Sequence, residues 1–142
     1  MLDIVEEIKA LQEDIIRWRR ELHQIPETSH DIPNTARYIE DRLKEMGIEY
    51  RSNVGGFGIV GLIMGSRDGK TIALRADMDA LAVEEKTNLP FASINKNMHA
   101  CGHDGHMAML LAAAKVLNSH KDTMTGNIKL IFQPAEEGPG GA

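Results

Sequence analysis

Three of the six histidines and the single cysteine of this 142-residue sequence crowd into His99-Ala100-Cys101-Gly102-His103-Asp104-Gly105-His106. Cys101 and His103 stand two residues apart, and in an extended segment that spacing points both side chains to the same side. A thiolate sulfur and an imidazole nitrogen converging on one point are good ligands for zinc and other divalent transition metals. Gly102 between them allows unusual backbone angles and close approach. The competing reading makes His103 a cap in the helix region and Cys101 a small buried hydrophobe. The histidines and aspartate gathered around the only cysteine weigh against it. His99 and His106 remain open between ligation, support of a ligand and core packing. Asp104 is suited to capping the first N–H groups of a following helix.

A second cluster, Gln133-Pro134-Ala135-Glu136-Glu137-Gly138, ends an apolar strand. Open α/β sheets place their sites beyond the carboxyl ends of strands. Adjacent carboxylates there can diverge, one toward a metal and one toward a water whose pKa the metal lowers. The alternative is a solvated acidic turn. Charges also appear abruptly in Leu74-Arg75-Ala76-Asp77-Met78-Asp79-Ala80-Leu81. Asp77 could orient a ligand or sit beside a metal, and ordinary turn chemistry would equally account for Asp77 and Asp79. The glycines Gly55, Gly56 and Gly58 precede a strand instead of linking strand to helix, which is the wrong context for a dinucleotide loop.

The elements that must position these residues follow from periodicity. Ile4, Ile8, Leu11, Ile15, Trp18 and Leu22 recur at helical steps and predict one amphipathic helix, ended by Pro26. A second helix begins near Pro33, turns Ala36, Ile39, Leu43 and Met46 inward, and stops at Gly47. Residues 57–64 and 70–75 read as two strands joined by a connection of hairpin length, 65–69. A loop containing Pro90 leads to a strong helix from Gly105 to about Asn118. Residues 127–133 read as a buried strand broken by Pro134, and 138–142 as a loop leading onward. The predicted class is α/β, helices on a mixed sheet.

Bulk properties agree with one soluble globular domain: 42% hydrophobic and 26% charged residues exclude disorder, and 142 residues do not support two domains. A formal charge of −5 without a basic stripe argues against a nucleic-acid partner. Neither a secretory core nor a run long enough for a bilayer is present, so no membrane partner is expected. A lone cysteine fits a reducing compartment, and the cytoplasm is the expected location.

Taken in order, four segments resemble the M20 metallopeptidase superfamily. They are Glu21-Leu22-His23-Gln24-Ile25-Pro26-Glu27, residues 73–81, residues 99–106 and residues 131–138. The nearest branch is the N-acyl-amino-acid amidohydrolases, which includes aminoacylase-like, hippurate-hydrolase-like and auxin-conjugate-hydrolase-like enzymes. The resemblance implies a zinc-exopeptidase-like catalytic domain with a dinuclear metal site. Cys101, His103 and Glu137 would be metal ligands, and Glu136 the general base that activates water between two ions. The implied substrate is a small-molecule N-acyl amino acid, cleaved at its amide. The wider superfamily carries His-x-Asp at the strand end where this chain has Arg75-Ala76-Asp77, and arginine cannot ligate a cation. Cys101 replaces the lost histidine in this reading, and Asp77 supports catalysis without being a ligand.

The family implies further histidine ligands and a lid and dimerisation domain beyond this point. Residues 1–142 are therefore expected to be the N-terminal part of the catalytic domain, with too few ligands for two well-held ions of zinc, manganese, cobalt or nickel. Two other outcomes stay open: an inactive domain that binds metal weakly or associates through exposed apolar surface, and an exopeptidase of the same superfamily.

Overall fold

The computed structural model describes residues 4–138 and Gly140, and shows the expected α/β class, with helices on a four-stranded mixed sheet. Of the onward loop expected at 138–142, Pro139, Gly141 and Ala142 lie outside the described residues. The N-terminal amphipathic stretch is two helices, not one: α1 spans Ile4–Ala10 and α2 spans Gln12–His23. At the junction the Leu11 amide donates to Ile8, three residues back, so the hydrogen-bond ladder tightens and the axis is broken there. α2 buries Trp18, Leu22 and His23, whereas α1 buries no residue. α3, Pro33–Glu45, opens on its proline and is followed by Gly47 at φ +66°, as expected of a helix stop.

The sheet corrects the expected hairpin. β1 (Glu49–Val54), β2 (Gly58–Met64), β3 (Arg67–Asp77) and β4 (Thr125–Gln133) lie in the order β1-β2-β4-β3. β4 is thus inserted between the two strands predicted to pair, antiparallel to β2 and parallel to β3. The hairpin partner of β2 is β1, whose sequence Glu-Tyr-Arg-Ser-Asn-Val lacks apolar alternation and gave no strand signal. The physical reason for the insertion is the near-continuous apolar run of β4, which suits the centre of a sheet. Its Ile128, Leu130 and Phe132 lie opposite Ile63, Gly61 and Ile59 on one side and Ile72, Leu74 and Ala76 on the other. Gly126, at φ +83°, makes the entry sterically feasible. A Cβ there would lie 2.2 Å from the Lys70 carbonyl oxygen.

α4 runs His103–Ser119, starting two residues before the predicted Gly105. Met107, Leu111, Leu130 and Phe132 join Leu22, Ile39 and Leu43 in one buried core, each contributing about 1.5–3 kcal/mol on removal from water. That core holds the N-terminus of α4 beside the C-terminal ends of the parallel strands β3 and β4. Among the described residues no helix is long and apolar enough to cross a membrane.

Candidate metal centre

Three chain segments meet at those strand ends. Cys101, His103 and Glu137 each offer a donor atom within 4.8 Å of the others. The meeting of Cys101 and His103 does not come from an extended segment. Cys101 lies in a turn, the Gly102 amide donates to the His99 carbonyl at 3.3 Å, and Gly102 at φ +92° leads directly into α4. The left-handed glycine therefore does the work assigned to strand alternation. His103 Nε2 lies 3.7 Å from Glu137 Oε1 and 3.6 Å from Glu136 Oε2.

The orientation of these groups depends on Asp79, which the sequence left as a turn residue. His103 Nδ1 lies 2.7 Å from the Asp79 backbone carbonyl, so Nδ1 carries a proton and donates, and Nε2 is the nitrogen that faces the glutamates. The Asp79 carboxylate, fully buried, accepts the backbone amides of Glu136 at 2.9 Å and Glu137 at 3.0 Å. One residue thus fixes the imidazole and the glutamate loop together. Ala135 enters that loop buried and at φ +54°, a conformation that costs a non-glycine residue about 1–2 kcal/mol. Its amide is held by the Ser29 carbonyl at 3.1 Å. The sequence signal for Asp79 was its place two residues after Asp77 at the strand end.

Asp77 approaches the same ring nitrogen, with Oδ2 3.6 Å from His103 Nε2. Arg75 Nη1 and His106 Nδ1 contact its carboxylate at 2.9 Å and 2.7 Å. Burial works to raise its pKa, but the His106 hydrogen bond, the charge of His103 and Arg75 hold the carboxyl below its ordinary value. Asp77, His103 and His106 form a second group of possible donors within 4.8 Å. Both groups draw on His103, and its one free nitrogen can serve only one ion. The described residues therefore offer one full set of ligands at a time.

The residues fit such an ion. A tetrahedral zinc-like centre places neighbouring donor atoms about 3.3–3.8 Å apart, the separation found between His103 and Glu137. The donors are a thiol, an imidazole and a carboxylate, a set suited to borderline divalent metals. Hydrogen bonding to Glu137, partial desolvation, and the charges of Glu137, Glu136 and Asp77 push the Cys101 thiol above its ordinary pKa. A cation would reverse that electrostatic balance.

Behind the ligands lies a buried polar group centred on His23, a residue whose side chain the sequence assigned no task. His23 places Nδ1 2.7 Å from Asp104 Oδ2 and Nε2 3.2 Å from Glu85 Oε1. Arg19 Nε reaches the same Asp104 oxygen at 2.8 Å. Asp104 does meet a first-turn amide of α4, that of Gly105 at 2.9 Å, while also binding α2. Burial would raise Glu85, yet the Ser93 amide, the Thr87 hydroxyl and His23 bring it down to about 2. His99 is buried with both ring nitrogens unpartnered among the described residues, and burial pushes it down to about 4. It is outside both donor groups. His106 is half-exposed and committed to Asp77.

Residues 73–142 match the family model for peptidase family M20/M25/M40. The chain is 50% identical to thermostable carboxypeptidase 1 of Saccharolobus solfataricus, over 99% of its own length and 38% of that protein. It is 48% identical to N-acetyl-L-cysteine deacetylase of Bacillus subtilis, over 95% of its length and 33% of that protein. Among solved structures it superposes on a dinuclear metal-binding peptidase of the M20 family from Bacillus subtilis with a TM-score of 0.86 and 44% identity. That match covers 91% of this chain and 37% of the other. The chain thus spans between a third and two fifths of the length of these relatives. With the C-terminal end of strand β3, the cysteine-histidine turn and the glutamate loop inside the matched region, the chain belongs to peptidase family M20/M25/M40.

Proposed function

We propose that this chain carries the metal-holding and general-base half of an amidohydrolase site. The whole enzyme would cleave N-acyl amino acids to a carboxylate and a free amino acid. The observation that carries the reading is the convergence of Cys101, His103 and Glu137, with His103 Nε2 directed to the same place. Cys101, His103 and Glu137 would hold a divalent ion, zinc, manganese, cobalt or nickel. Bound there, it would supply Lewis-acid polarisation of a carbonyl and acidification of water.

The chain's own residues account for the rest. The Glu136 carboxylate, 41% exposed, is free to take a proton from water and hand it to the departing amine. Asp79 holds the backbone from which that carboxylate projects, and Asp77, held by His106, brings a further carboxylate to His103 Nε2. A dinuclear centre is the described property of the Bacillus subtilis relative. A second ion here would need ligands besides the donors already shared through His103. An exposed single thiol serves as a ligand only while reduced, which fits the cytoplasm.

Metal content after purification without chelator tests the reading. Close to one ion per chain is expected, falling to a trace in Cys101→Ser. Equal occupancy in both would remove Cys101 from the site, and no metal in either would sink the half-site reading.

A second reading, a chain that associates instead of turning over substrate, is favoured by the apolar surface on and beside edge strand β3. Ile72 and Met109 are each 58% exposed there. Sedimentation of the 142-residue chain is expected to show species larger than the monomer, with Ile72→Lys shifting them to monomer. A concentration-independent monomer would exclude this reading.

A further inference from the structure

We propose that His23 is a positioning residue for the Cys101–His103 turn, acting through Asp104; the proposal rests on the metal reading above. His23 is 2% exposed, and both of its ring nitrogens face carboxylates. Both nitrogens are thus engaged, at 2.7 Å and 3.2 Å, and neither is left to bind an ion. His23 is therefore not itself a ligand. What it does hold is Asp104, the residue immediately after His103.

The first turn of α4 is gripped from two sides. Asp79 grips the His103 ring through its carbonyl. On the other side, His23 and Arg19 of α2 grip Asp104, whose second oxygen takes the Gly105 amide. Gly102, which precedes this turn, adopts a left-handed conformation, and a Cβ built on it would meet nothing within 4 Å, so no packing around that atom fixes its angles. The Asp104 contacts supply the restraint that Gly102 does not.

The same imidazole also fixes the approach to the turn. Glu85, its second partner, accepts the Ser93 amide at 2.6 Å and the Thr87 hydroxyl, gathering the irregular loop that precedes His99. Phe91 from that loop stands edge-on to His23 at 5.8 Å, with Arg19 and Arg20 over its ring. The loop closes through the Leu81–Met98 bridge, one residue before His99. α2 thus restrains the ligand-bearing turn at its entrance and its exit through one side chain.

Partners behind metal ligands commonly set affinity by about 10–100-fold. The test is cobalt(II) titration of this chain, followed by the thiolate-to-cobalt charge-transfer band that reports the Cys101 bond. Far-UV circular dichroism checks the fold. His23→Ala is expected to weaken cobalt binding by about 10–100-fold and to diminish the charge-transfer band. His23→Asn, whose amide nitrogen can replace Nδ1 toward Asp104, should recover most of the affinity. His23→Gln, which reaches toward Glu85 instead, should not. If His23→Ala does not fold, the Asn and Gln variants decide. Equal affinity and band intensity in wild type and all folded variants would overturn the positioning role while leaving the metal reading intact. Absence of any cobalt binding by the wild-type chain would overturn both.

Discussion

Glu136→Gln in the full-length enzyme should lower hydrolysis of N-acyl amino acids by about 10²–10⁴-fold while leaving metal content unchanged. Glutamine keeps the size of the side chain and the backbone bond to Asp79. It removes only the capacity to accept a proton. Glu136 is the candidate because of what its neighbour does: Glu137 hydrogen-bonds the Cys101 thiol, whereas the Glu136 carboxylate accepts no hydrogen bond from another side chain among the described residues. The expected loss corresponds to about 3–5 kcal/mol of transition-state stabilisation. Activity within tenfold of wild type would remove Glu136 from the role. Running N-acetyl amino acids and free dipeptides in parallel separates the two substrate classes. A wild-type preference for dipeptides would favour the exopeptidase alternative, to which the likeness to a carboxypeptidase points.

The second large effect is on stability. Asp79→Ala should cost about 3–5 kcal/mol in urea denaturation, because two part-buried amides would lose their carboxylate acceptor at once. Typical domains have only about 5–15 kcal/mol in total, so the variant would sit close to unfolding. Asp79→Asn keeps the shape and one accepting oxygen, and should cost roughly half as much. The difference between the two variants is the informative quantity. A loss below about 1 kcal/mol for alanine would mean that the glutamate loop holds its position without Asp79.

What the sequence made legible was chemistry that is local in the chain. Cys101 and His103 are two residues apart and Glu136 and Glu137 adjacent, so their types and spacing could be read directly, and helix α3 and strand β4 followed from periodicity. What it did not show was chemistry assembled across long separations. His103 meets the Asp79 carbonyl 24 residues away, and His23 meets Glu85 and Asp104 at 62 and 81. Nothing in the local pattern around His23 distinguishes it from a helix-end histidine. Strand pairing was hidden for a related reason. Apolar alternation tells which face of a strand is buried but not which strand lies beside it, so β2 and β3 looked like a hairpin. The polar β1 was silent because its side chains are largely solvated.

The insertion of β4 also constrains how the chain acquires its shape during synthesis. Residues 58–77 emerge from the ribosome long before 125–133, and the gap they must leave is filled only when β4 arrives. Until then β2 and β3 present unpaired edges facing each other, and closing directly as a hairpin would be a topological dead end. Gly126, with no side chain to collide with Lys70, makes late entry sterically feasible. Any bulkier residue there would meet the Lys70 backbone as β4 enters, and so would act on the pairing of β4 with β3.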